Sequence, residues 1–188
     1  MKILVMGLPG SGKTYQSANA IIELLKNNKK IAVTANSHKV IHNLLERVEN
    51  LANKQKYVFK GLKMGNPDNE DTFYDGNLIK TDKNEKHYID GLKDNKILLY
   101  AGTKYHLASW YYRSKIDFLF IEEASQFVLA DLISLGGIAK NIVLVGDQQQ
   151  LGQPTQGSHP NLSGNSVLEY LLEGKDTVPD NRGIFLTR

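Results

Sequence analysis

The sequence contains no cysteine. Disulfide staples, thiolate metal sites and a cysteine nucleophile are thereby excluded, and a reducing compartment is allowed. It also lacks a long hydrophobic run: nothing approaches the roughly 20 apolar residues that a membrane-spanning helix needs. The opening "MKILVMGLPGSGK" is too short and too broken by glycine to serve as an export signal. A cytoplasmic location and no membrane partner are therefore expected. Charge of one sign is scarce too, because 23 basic and 20 acidic residues leave a net charge of +3. That balance neither requires nor excludes a polyanionic partner. Internal repeats and low-complexity tracts are absent.

What is present is ordinary for a globular chain. Hydrophobic residues make up 41% and charged residues 23% of 188 positions, enough for one domain that buries most of its unfolded surface. Apolar runs recur at Ile3 to Met6, Ile31 to Thr34, Ile97 to Ala101, Phe118 to Ile121, Ile142 to Val145 and Ile184 to Leu186. They run apolar without strict alternation, as strands buried on both faces do. Between them, Thr14 to Asn27 and Ser37 to Leu51 carry apolar residues at helical spacing, with Ser37 placed to cap the second helix. The pattern predicts an α/β fold, an open parallel sheet with helices on both faces in three layers. From about 51 to 96 it weakens, and "MGNPDNEDTFYDG" reads as the mobile loop of a surface insertion.

Gly7 to Thr14, "GLPGSGKT", matches G-x-x-x-x-G-K-[ST] between an apolar strand and an amphipathic helix. That is the context a P-loop NTPase requires. Gly7, Pro9, Gly10, Ser11 and Gly12 would shape a turn whose backbone N–H groups face a phosphate chain at the positive end of a helix. Lys13 would place its ammonium on the β and γ phosphates, and the Thr14 hydroxyl would ligate Mg2+.

"FLFIEEASQF", Phe118 to Phe127, ends a buried strand in two adjacent carboxylates, Glu122 and Glu123. A parallel sheet delivers its strand ends to one edge, so these acids should face the same nucleotide. One acid can hold the metal and its neighbour can orient and deprotonate a water. Taken without the phosphate loop, the pair would equally suit a solvated helix start. "NIVLVGDQQQLGQP", Asn141 to Pro154, repeats the design, and Gln150 is placed to sense the γ phosphate or the attacking water.

In order, "GLPGSGKT", "VTANSHKVIHNLL", "LLYAGTKYHLAS", "FLFIEEASQF" and "VLVGDQQQLGQP" resemble motifs I, Ia, Ic, II and III of superfamily 1 helicases. The resemblance is to the branch related to the nonsense-mediated-decay and DNA-replication helicase-nucleases, grouped as AAA-type helicase domains. It implies a RecA-like first lobe that binds ATP and Mg2+, with Lys13 and Thr14 on phosphate and metal, Glu123 as the catalytic acid and Gln150 as the γ-phosphate sensor. It implies Glu122 as the metal-side acid, where the family usually has aspartate. Thr34, Asn36, Ser37, Gly102 and Thr103 would touch the backbone of single-stranded DNA or RNA. The resemblance stops at "GIFLTR", about where a fourth motif would start, so the second RecA-like lobe and its arginine fingers are expected in a longer protein or in trans. An in-trans arginine is worth ~10³ to 10⁵ in rate, so weak ATPase is expected of this chain alone.

Other readings remain beside it. Lys104, Tyr105, His106, Trp110, Tyr111, Tyr112 and Arg113 interleave basic and aromatic groups as a stacking platform does, although aromatics at helical spacing also pack cores. His38 and His42 stand one helical turn apart without a third ligand nearby. A small P-loop kinase would share the phosphate loop, but Arg47, Arg113, Arg182 and Arg188 form no lid-like cluster. A non-hydrolysing ATP-binding interaction module would share it too, with Glu122 marking lost catalysis.

Overall fold

Strand β2, Ile31–Thr34, is buried along its whole length, and its side chains divide between two cores. Ile31 and Val33 join one apolar cluster and Ala32 the other. Successive side chains of a strand point to opposite faces, so this strand carries a hydrophobic layer on each side. The computed structural model, which describes residues 2–7, 10–147, 166–172, 178–179 and 183–186, extends that arrangement to an eight-stranded sheet. The other strands are β1 (Lys2–Gly7), β3 (Gly61–Met64), β4 (Ile79–Asp82), β5 (Leu99–Ala101), β6 (Ile116–Ile121), β7 (Ala139–Gly146) and β8 (Gly183–Leu186). Their order is β4-β3-β5-β2-β6-β7-β1-β8, and every neighbouring pair is parallel.

Helices α1 (Lys13–Lys26) and α2 (His38–Lys54) cover one face. Ala18, Ile21, Ile22 and Leu25 of α1, with Ile41, Leu44, Leu45 and Val48 of α2, are fully buried at i, i+3, i+4, i+7 spacing against Val33, Leu99, Ala101 and Phe120. Each Ile or Leu so buried contributes about 1.5–3 kcal/mol, more than propensity alone gives helices of this length. Ser37 caps α2 as expected, its hydroxyl accepting the Val40 N–H at 3.3 Å. On the other face, α3 (Glu85–Asp94), α5 (Leu129–Leu135) and α6 (Val167–Leu172) pack Tyr88, Leu92, Leu132, Leu135, Val167 and Leu168 against Leu4, Met6, Leu119, Ile121 and Leu144. A short helix α4 (Lys104–Leu107) follows β5. The fold is the expected three-layer, RecA-like P-loop α/β arrangement.

Two strands depart from the sequence reading. β3 and β4, together with α3, occupy the stretch from 51 to 96 in which no strand was expected, and β4 forms one edge of the sheet. The segments "GLKM" and "IKTD" are short and lysine-bearing, without the apolar run that marks the central strands. Lys63 of β3 is nonetheless fully buried and donates to the Thr72 carbonyl, and burial pulls its ammonium pKa down to about 8. The chain between β3 and β4 is clipped to α2 by the buried Glu49, whose carboxylate accepts the N–H groups of Asn77, Leu78 and Ile79 at 3.0, 2.9 and 2.7 Å. Among the described residues, no helix is long and apolar enough to cross a membrane.

Candidate functional site

Because the sheet is wholly parallel, the ends of β1, β2, β5, β6 and β7 reach the same edge. β1 ends at Gly7 and α1 begins at Lys13. Gly10 and Gly12 between them have φ of 78° and 83°, a left-handed conformation that only glycine adopts without strain. The 14-residue α1 thus opens directly behind a glycine turn, with no side-chain cap at its N-terminus, as an anion site requires. Lys13 Nζ donates to the Gly7 carbonyl at 2.6 Å, which holds the ammonium over the loop.

β6 ends at Ile121, and the two acids that follow it differ sharply. The Glu122 N–H donates to the Thr34 carbonyl at 2.9 Å, and its side chain turns inward until only 4% of the residue is exposed. Its Oε1 is buried with no hydrogen-bond partner among the described residues. Burial pushes this carboxyl up to about 7; the nearby Ser17 hydroxyl opposes the rise, the Glu123 charge adds to it and the Lys13 ammonium opposes it. Glu123 is half-buried and sits at φ 51°, the left-handed region that non-glycine residues seldom occupy. That kink stops the strand and turns the chain into the 3-10 turn Ala124–Gln126. Backbone held in such a region clusters at functional sites.

Lys13, Thr14, Glu122 and Glu123 line one cleft of ≈ 390 Å³ with Gly10, Gly12 and Gly146. The structure therefore gathers the phosphate loop and the acid pair as the sequence reading expected. Thr14 and the orphaned Glu122 oxygen form an oxygen donor set that suits a hard cation such as Mg2+. No group of three or more His, Asp or Glu residues among those described forms a protein-only metal cage, and Mg2+ bound with a nucleotide needs none. Pro9 and Gln150 lie outside the described residues. Asp147, which follows β7 three residues before Gln150 in sequence, is buried.

The remaining wall of the cleft was not read from sequence. Tyr15 follows the phosphate loop, and Val40, Asn43 and Arg47 come from α2. The available signal was their spacing, since 40, 43 and 47 share one face of a helix whose apolar face is turned elsewhere.

The residues expected on a nucleic-acid strand separate by exposure. Ser37 is exposed, and Asn36 and Thr103 are half-buried at the strand-end edge, with Asn36 Nδ2 donating to the Gln126 carbonyl at 2.6 Å. Thr34 and Gly102 are buried, and the Gly102 N–H donates to the Val33 carbonyl at 3.2 Å. The aromatic segment splits likewise. Tyr111 and Tyr112 are core residues, and His106 Nε2 meets the Tyr112 hydroxyl at 2.7 Å, while Tyr105 and Trp110 are 81% and 79% exposed. The His38 and His42 rings lie 6.1 Å apart between centroids and tilted by 47°, with the His42 ring 5.5 Å from that of Tyr74.

Residues 1–156 match the model of a family described as AAA domain. The DNA replication ATP-dependent helicase/nuclease dna2 of Schizosaccharomyces pombe is 28% identical over 170 residues, covering 90% of this chain and 12% of that protein. The chain thus spans about an eighth of the length of this curated relative. Among solved structures, an arterivirus nonstructural protein 10 (helicase) in complex with DNA superposes with a TM-score of 0.53 at 14% identity, over 85% of this chain and 32% of that one. The DUF1998 helicase MrfA bound to DNA gives 0.53 at 15% identity, over 78% of this chain and 20% of that one.

Proposed function

The chain belongs to the AAA domain family and is a RecA-like lobe of the superfamily 1 helicase type, and from that premise we propose that it binds and hydrolyses ATP as the first lobe of a nucleic-acid motor. The observation that carries this reading is the meeting of Lys13 and Thr14 with Glu122 and Glu123 across one cleft. A phosphate loop alone serves many chemistries; a loop facing two strand-end carboxylates, one of them on kinked backbone, suits attack by water.

In this mechanism the N–H groups at the start of α1 and the Lys13 ammonium hold the phosphate chain and neutralise its charge. Glu123 orients the water and accepts its proton as the water oxygen bonds to the γ phosphorus. The bond from that phosphorus to the bridging oxygen breaks, and ADP leaves with the electron pair. Thr14 and Glu122 would hold Mg2+, which supplies positive charge to the phosphate oxygens. Gln150 senses the γ phosphate. Asn36, Ser37 and Thr103, exposed or half-buried at the strand-end edge, meet the single strand of DNA or RNA, whereas the buried Thr34 and Gly102 act only by shaping that edge. A second RecA-like lobe, in the same polypeptide or in trans, completes the site with arginine, because translocation needs two lobes that close and reopen.

The test is phosphate release from Mg2+-ATP, with and without single-stranded DNA or RNA. Slow release that rises with nucleic acid, and that Lys13→Ala and Glu123→Gln each lower by about 10² or more, is the expected result. Wild-type release no faster than either variant, with a second lobe supplied, would sink hydrolysis as the function.

A further inference from the structure

The nucleotide cleft does not end at the phosphate loop. A second cavity of ≈ 420 Å³ adjoins it, lined by Thr14, Asn43, Glu46, Arg47 and Asn50. Thr14, Asn43 and Arg47 line both cavities, so the two are halves of one trough between the start of α1 and the middle of α2. Lys13 and Arg47 are the cationic side chains among the residues lining the inner half.

Arg47 has no hydrogen-bond or ion-pair partner among the described residues. Most exposed arginines on a helix are simply solvated. This one differs by position. It stands one turn after Asn43, whose amide also has no partner among the described residues. Helix side chains lean toward the N-terminus of their helix, which carries the Arg47 guanidinium back along α2 toward Asn43 and the end of the trough that holds Thr14. Glu46 lines the outer cavity beside it and does not pair with it. A planar group with five N–H donors, unclaimed by any carboxylate among the described residues and set beside the residue expected to meet Mg2+ and phosphate, fits an anionic ligand with several oxygens.

We infer that Arg47 is a nucleotide-binding residue: its guanidinium, supplied by α2 of this lobe, grips the phosphate tail of the bound nucleoside triphosphate alongside Lys13. The inference rests on the proposed function and adds to it a cationic contact made in cis, separate from any arginine a second lobe contributes. Recognition of the tail rather than the base makes the contact indifferent to the nucleobase.

Equilibrium titration of the full chain with mant-ATP, and competition by ATP, GTP and inorganic tripolyphosphate, test it. Arg47→Ala should weaken mant-ATP and tripolyphosphate alike by tenfold or more, and Arg47→Lys, which keeps the charge without the fork, should recover part of the loss. An unchanged melting temperature in Arg47→Ala would exclude misfolding as the cause. Binding of Arg47→Ala within twofold of wild type, while Lys13→Ala loses affinity, overturns the inference and leaves the proposed function standing. Loss of mant-ATP affinity with tripolyphosphate affinity unchanged overturns it as well, because the contact then lies on the nucleoside. Absence of saturable mant-ATP binding by the wild type removes the proposed function and the inference together.

Discussion

The Glu49 carboxylate on α2 accepts the Ile79 N–H at 2.7 Å, the first residue of β4, so a helix on one face of the sheet fixes where an edge strand begins. Glu49 also takes the N–H groups of Asn77 and Leu78, and it is 7% exposed. Removing it strands buried donors as well as deleting charge-assisted hydrogen bonds. Glu49→Ala should lower stability by about 3 kcal/mol, read as a shift in the urea midpoint. A change below about 0.5 kcal/mol, the scale of an ordinary surface substitution, would show that the clip does not hold the edge.

Glu122 gives a pH dependence with a definite sign. Its carboxyl titrates near 7 in the fold against an ordinary value of 4.5, so the folded state keeps a proton that the unfolded chain releases. The stability it contributes is greatest below pH 4.5 and is lost as pH rises toward 7, by up to about 3 kcal/mol. Glu122→Gln stays neutral throughout. In EDTA and without nucleotide, the variant should therefore be more stable than wild type at pH 8 and nearly equal to it at pH 4.5. Equal denaturation midpoints at pH 8 would contradict the buried, orphaned carboxylate.

His106 acts on the opposite limb. Burial lowers its pKa to about 4, so the folded state holds a neutral ring that the unfolded chain protonates below its ordinary 6.5. That stability is present above pH 6.5 and disappears as pH falls toward 4. His106→Gln should be less stable at neutral pH, having lost the contacts with Tyr88 and Tyr112, and should show a shallower decline between pH 6.5 and 4. An NMR titration of wild type that finds this imidazole protonating above pH 6 would refute the assignment.

Ser37→Ala should cost about 1 kcal/mol through loss of the α2 cap. If the exposed Ser37 hydroxyl also meets a nucleic-acid strand, the variant should bind single-stranded DNA or RNA more weakly at a temperature where both proteins are fully folded. A stability loss with no change in that affinity would confine Ser37 to capping.

The phosphate loop and the acid pair were legible because each is contiguous in sequence and each ends a strand of unbroken apolar residues. A parallel sheet then brings them together without further information. Arg47 and Asn43 were not legible as cleft residues, since their place depends on how α2 lies against α1 rather than on any local pattern. β3 and β4 were missed for a related reason. Lys63 sits in a strand and is fully buried, an outcome that periodicity cannot anticipate when the compensating Thr72 carbonyl comes from the following loop. The aromatic segment offered two readings, and packing decided between them residue by residue, sending Tyr111 and Tyr112 inward and leaving Tyr105 and Trp110 outside.

The strand order has a consequence for the order of assembly. Among the strands of this sheet β1 is synthesised first, yet its neighbours are β7 and β8, with Leu4 paired to Leu144 and to Gly183. At roughly 5–20 residues per second, the strand that carries the phosphate loop waits many seconds for its partners. β2, β5 and β6 can pair among themselves in the meantime. The loop made first is thus completed last, and during that interval Leu4 and Met6, apolar and unpaired, are exposed to chaperones and to other nascent chains.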